Sequence, residues 1–218
     1  TTLVRRATAK LIESSKAWRK YAEEQEETVP VKPLMVLQVP NTPSHDEIGE
    51  LLDTICDKWP EELQSSSFAH VFGEHTPQTF GGHTVRYIEP QRVQDAKYVR
   101  VLIAKDAIST GWDCPRAEVM VSLRGGGDDE THVTQLLGRM IRTPLARRIP
   151  GNDRLNSVDC LLPRFNKKTV SKVVQRLMYG DDGESPLPGR EVLINPASMY
   201  PNPRVGEDVW TTFVGLPS

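Results

Sequence analysis

Four short stretches of nearly unbroken apolar residues punctuate the chain: Leu34–Val39, Val99–Ala104, Val119–Leu123 and Val158–Leu162. An apolar run of that length between turn residues is how a strand covered on both faces of a parallel sheet reads. Helical spacing occupies the intervals. Over residues 3–22, Leu3, Ala7, Leu11, Ser14, Trp18 and Tyr21 recur on one stripe, with Arg5, Arg6, Lys16, Arg19 and Lys20 mostly elsewhere. The first apolar run ends in Pro40-Asn41-Thr42-Pro43, and Ser44 with Glu47 three residues on forms a capping box. Ile48, Leu51, Leu52, Ile55 and Trp59 then line one helical face. Further helices are predicted over Thr131–Arg142 and Lys168–Tyr179. Strands alternating with helices predict an α/β fold with a mainly parallel sheet and helices on both faces.

The stretch from Ala69 to Pro90 is less regular. Val71-Phe72 and Val85–Ile88 read as short strands around a loop rich in Gly and His. His70, His75 and His83 are spaced by five and eight residues, which matches no metal motif, so hydrogen-bonded or solvated loop histidines are expected. Late prolines predict an irregular C-terminal stretch after Gly180, with a strand possible at Glu191–Asn195.

Composition narrows the function classes. Among 218 residues, 38% are hydrophobic and 26% charged, as in ordinary globular proteins. A net charge of −2 excludes a globally basic nucleic-acid coat and leaves room for a local basic stripe. Three scattered cysteines, Cys56, Cys114 and Cys160, read as free thiols rather than a disulfide framework or zinc site. No apolar run approaches the roughly 18 residues that span a bilayer, and no signal-peptide pattern is present. A cytoplasmic location without membrane contact is the expectation.

The chemistry concentrates in Gln135-Leu136-Leu137-Gly138-Arg139-Met140-Ile141-Arg142. On a helix, Gln135, Arg139 and Arg142 fall within about 60° of one another, and Leu136, Leu137, Met140 and Ile141 face the core. Pro144 ends the helix. Gly138 costs about 1 kcal/mol in a helix interior, which makes sense where a backbone or ligand approaches closely. Two guanidinium forks a turn apart suit the spread charge of a phosphoryl-transfer transition state. A second stretch, Ala104 to Pro115, starts where the Val99–Ala104 strand ends. Gly111 would admit a nucleotide close to the backbone, and Asp113 would accept from a ribose hydroxyl or orient an arginine.

The Q-x-x-G-R-x-x-R string resembles motif VI of superfamily-two helicases. Ala104–Asp113 resembles their motif V, and the loop after Leu34–Val39 their motif IV. Thr-Gly-Trp-Asp-Cys-Pro-Arg-Ala at 110–117 and Pro-Asn-Thr at 40–42 are most similar to the Res subunit of type III restriction enzymes and related defence helicases. The likeness covers roughly residues 30–165 and more loosely runs to about 180. It implies a RecA-like second motor domain, with a connecting helix at 1–29 before it and an extension at 166–218 after it. ATP and Mg²⁺ would bind between this domain and a first RecA-like domain, with DNA, or RNA, crossing both. Arg142 would be the arginine finger, supported by Arg139 and Gln135. Gly111, Asp113 and Gly138 would line the nucleotide cleft, and Asn41, Thr42 and Lys105 would touch the phosphate backbone. Many relatives carry Thr where this chain has Lys105.

No G-x-x-x-x-G-K-[ST] loop and no Asp-Glu-Ala-Asp segment occurs in the chain, and the one match to Asp-Glu-x-His, Asp129-Glu130-Thr131-His132, has no such loop ahead of it. The first motor domain, holding Mg²⁺, is therefore expected to precede Thr1, and this chain alone is expected not to hydrolyse ATP. The alternative is a non-catalytic nucleic-acid-binding or scaffolding module on the same fold. A stand-alone doubly wound nucleotide enzyme fits less well, because Gly125-Gly126-Gly127 is followed by Asp128-Asp129-Glu130, which repels phosphate.

Overall fold

Residues 2–27, 29–59, 63–105, 112–124, 130–180 and 191–194 are described by a computed structural model. Eight strands among them, β1 (Leu34–Gln38), β2 (Phe68–His70), β3 (Gln78–Phe80), β4 (His83–Tyr87), β5 (Val101–Ala104), β6 (Ala117–Ser122), β7 (Ser157–Leu161) and β8 (Glu191–Ile194), make one sheet in the order β3-β4-β2-β5-β1-β6-β7-β8. Every pairing is parallel except β3 with β4. Four α-helices among the described residues flank the sheet: α1 (Thr2–Glu24), α2 (His45–Lys58), α3 (Glu130–Met140) and α4 (Lys167–Tyr179).

Alternation along β1 explains the layering. Met35, Leu37 and Val39 pack with Val4, Ala7 and Leu11 of α1 and Ile48, Leu52 and Ile55 of α2. Leu34 and Val36 belong to the opposite cluster, with Val133, Leu136, Leu137 and Met140 of α3 and Val170 and Val173 of α4. The central strands are buried residue by residue, as apolar runs require when helices cover both faces. The architecture is thus α/β with helices on both sides of a mainly parallel sheet. No helix among the described residues is long and apolar enough to cross a membrane.

Several local expectations shift. The second strand lies at Phe68–His70, ahead of Val71-Phe72. There the His70 ring accepts the Phe72 N–H at 3.2 Å, which removes that donor from the ladder. Strand β3 is an addition, joined to β4 across Gly81-Gly82 with Gly81 at φ 55°. The third helix stops at Met140 rather than Arg142. Pro144 disfavours helical backbone at Thr143, and the last turn unwinds before it. Helix α2 begins as expected, with the Glu47 N–H donating to Ser44 Oγ at 3.3 Å.

The flanking segments are built into the same body. Helix α1 packs along the sheet, and β8 adds to its edge with Val158 opposite Val192. Asn195, the glycine triplet at 125–127 and the rest of the proline-rich stretch lie outside the described residues.

Candidate nucleotide and nucleic-acid sites

Helix α3 buries Val133, Leu136, Leu137 and Met140 and so fixes the roll of its outer face. Arg139, half-buried near its end, donates from Nη1 to the Trp112 carbonyl at 2.8 Å. Arg142, two residues beyond the helix, pairs through Nη1 with Asp113 Oδ2 at 2.5 Å. The two arginines therefore converge on consecutive residues. For Arg142 it is the backbone after the helix, not helical phase, that sets the direction. Its side chain is 59% exposed and that of Asp113 is 49% exposed. An ion pair so open to water is worth at most about 1 kcal/mol, so an arriving anion can compete for the guanidinium. Gln135 is exposed on the same helix. Gly138 has open space around it: an added Cβ would meet nothing within 4 Å. The close backbone approach expected there occurs instead between Gly49 and Gly81. Gly111 lies outside the described residues.

Strand direction separates the candidate residues. Lys105 follows the carboxyl end of β5, and Asn41 and Thr42 follow that of β1. Trp112 and Asp113 instead lead into the amino end of β6, through a turn in which the Ala117 N–H donates to the Cys114 carbonyl at 2.8 Å. Because β1, β5 and β6 are parallel, the arginines gather toward one end of the sheet and the Asn41, Thr42 and Lys105 group at the other. Helical phase sets only the side of the helix; the end follows from chain direction, since a helix returning antiparallel to its strand carries its last turn to the opposite end.

At the carboxyl edge Asn41 and Thr42 are exposed. Thr42 lines a cleft of about 160 Å³ with Pro40, Pro43, Glu47, Leu123 and Arg164. The Lys105 ammonium is engaged: it donates to Glu74 Oε1 at 2.9 Å and sits 4.5 Å from the centre of the Phe72 ring. That hydrogen bond holds the Glu74 carboxyl below its ordinary value. A phosphate reaching Lys105 would have to displace a carboxylate. Beneath this edge Gln38, buried at the end of β1, accepts from Ser122 Oγ at 2.6 Å. Gln38 Nε2 and Trp112 Nε1 are buried without a hydrogen-bond partner among the described residues.

Arg116 and Glu118 are buried charges outside the sequence-based candidates. Arg116, 2% exposed, donates to four main-chain carbonyls: Lys32 at 3.0 Å, Val93 at 2.7 Å, Ala96 at 3.0 Å and Val99 at 3.0 Å. Burial lowers its pKa, and the neighbouring Cys114 and Asp95 act against that. Glu118 is the extra residue of a bulge, for Leu34 pairs with Ala117 and Met35 with Val119. The bulge turns its carboxylate toward α1, where it accepts from Trp18 Nε1 at 2.6 Å and from the Ser14 hydroxyl. A charge just ahead of the apolar Val119–Leu123 run was the available signal for both.

The histidines are structural. His70 donates from Nε2 to the Thr76 carbonyl at 2.9 Å while accepting the Phe72 amide, which defines a neutral ring. Burial lowers its pKa, with Glu74 and Lys105 pulling in opposite directions. His83 meets Asp53 at 2.7 Å, and His75 stacks on Tyr87 with centroids 4.4 Å apart. No cluster of three or more potential metal ligands exists among the described residues. Cys114 and Cys160 are buried thiols in no disulfide among the described residues, the former pushed by burial up to about 11. No family model, curated protein or solved structure matches this chain.

Proposed function

We propose that this chain is the second, RecA-like motor domain of an ATP-dependent DNA helicase or translocase of the restriction or defence type, working in the cytoplasm. The observation that carries the reading is the convergence of Arg139 and Arg142 on Trp112–Asp113. Both guanidiniums belong to the motif VI-like string and both acceptors to the motif V-like string, so two segments alike in sequence also meet in space. ATP would supply the phosphoryl group, with Mg²⁺ held by the preceding motor domain. Arg142 is light enough in its present pairing to turn toward a γ-phosphate at the domain interface. Arg139, anchored on the Trp112 carbonyl, would keep a second positive charge nearby. At the far end of the sheet, Asn41 and Thr42 would take the phosphate backbone, which gives affinity without sequence readout. Lys105 would join them only by exchanging Glu74.

In the complete protein, Arg142→Ala is expected to lower nucleic-acid-stimulated ATP hydrolysis by about 10³-fold, with nucleic-acid affinity within about twofold of the parent. Steady-state phosphate release and filter binding measure the two. Undiminished hydrolysis would remove the motor assignment and favour a nucleic-acid-binding module on the same fold.

A further inference from the structure

Charge is distributed unevenly along the chain. Residues 131–180 hold ten arginines and lysines against two aspartates, a net of +8 in a protein of net −2, so the remainder carries −10. One of the two aspartates, Asp159, is fully buried against Arg154. Helix α4 contains Lys167, Lys168, Lys172 and Arg176 and no acidic residue. Lys168, Lys172 and Arg176 recur every fourth residue, opposite the buried Val170 and Val173, and so form one exposed row about 12 Å long. Glu130 is shared by two of them, Lys172 at 2.8 Å and Arg176 at 3.3 Å, which leaves the row positive. Exposed Arg164, just before the helix, lines the same cleft as Thr42.

We infer that Arg164 and the basic row of α4 form a phosphodiester-binding track that continues the Asn41–Thr42 loop along the carboxyl edge and down the outer face of α4. The inference rests on the motor reading, since it takes the Asn41–Thr42 loop as a backbone contact. A polyanion with regularly repeated charges fits a row of repeated cations, and each phosphate neutralised releases counterions. The track holds a strand through charge alone, because α4 offers no base-reading groove.

The test compares the complete protein with a charge-reversed variant, Arg164→Glu with Lys168→Glu and Lys172→Glu. Anisotropy of a fluorescent oligo(dT) strand is followed across a salt series. A control reverses Lys16, Arg19 and Lys20, exposed on α1. Three lost single-strand contacts lower the salt slope by about 2, and affinity falls by about tenfold or more at low salt; the control stays at the parent value. The neutral variant with Gln at the same three positions loses affinity in the same direction, and serves if the reversed protein misfolds. Parent-like binding and slope in both track variants overturns the track while leaving the motor reading standing. An equal loss in the α1 control also overturns it. If the parent binds no nucleic acid at all, the motor reading fails and the track with it. Competition by poly-glutamate as strong as by oligo(dT) would make the row an acidic-protein dock and overturn the phosphodiester assignment.

Discussion

Gly49 and Gly138 both lie inside helices, and their surroundings are opposite. A Cβ on Gly49 would come within 2.8 Å of the Gly81 Cα and N, both main-chain atoms that cannot step aside. Gly49→Ala is therefore expected to destabilise by about 1–3 kcal/mol, as other overpacked sites do. Gly138→Ala meets open space and is expected to stabilise by about 0.5–1 kcal/mol. Urea midpoints compare the two, and a neutral Gly49→Ala would contradict the packing described. The arginines divide in the same way. Arg116 is enclosed by carbonyl oxygens and serves the fold, whereas Arg142 sits in water with Asp113 as its ion-pair partner among the described residues. Identical side chains differ in role because desolvation makes one pairing obligatory and solvent makes the other optional.

Among the elements, α1, expected as a connecting helix, packs closely against the sheet. Its 23 residues bury Val4, Ala7, Leu11 and Trp18, and its polar Ser14 and Trp18 Nε1 meet the bulged Glu118 of β6. Arg154, paired with buried Asp159, also donates to the Lys10 carbonyl at 3.4 Å. The helix thus neutralises polar groups that the sheet could not bury alone. Trp18→Ala is expected to cost about 3–5 kcal/mol, and Trp18→Phe about 1–3 kcal/mol, because an aromatic ring is kept while the donor to Glu118 is lost. Equal midpoints for the two variants in chemical denaturation would contradict this ordering.

At the scale of the whole molecule, the proposed motor has its two contacts at different ends of one sheet. Arg142 and Asp113 lie toward the amino end of β6, and Asn41 and Thr42 beyond the carboxyl end of β1. Such separation predicts separable defects. In the complete protein, Asn41→Ala with Thr42→Ala is expected to weaken single-strand binding by roughly three- to tenfold, about 1 kcal/mol or slightly more for lost polar contacts. ATP hydrolysis without nucleic acid should stay unchanged. Loss of that basal hydrolysis in parallel with binding would mean that the two ends are not independent. The charge segregation of residues 131–180 belongs to this scale as well, since it sets which surface a polyanion meets first.

The apolar runs alone were sufficient for the central strands, because a strand covered on both faces needs continuous hydrophobicity, and Leu34–Gln38 and Ala117–Ser122 are buried without exception. Helix faces were equally readable from spacing, and so was the Ser44 cap. Strand β3 escaped the pattern although Gly81-Gly82 marked its hairpin, for three residues are too few to show alternation. Tertiary structure decided the rest. Helix α3 ends where Ile141 to Pro144 leave the helical path, so Arg142 is turned by main-chain direction rather than helical angle. The bulge that points Glu118 at Trp18 depends on the register between two strands far apart in sequence. Engagement of Lys105 by Glu74 came from folding β2 beside β5. Local pattern records which atoms must leave water; only the packed chain determines which partner each remaining charge finds.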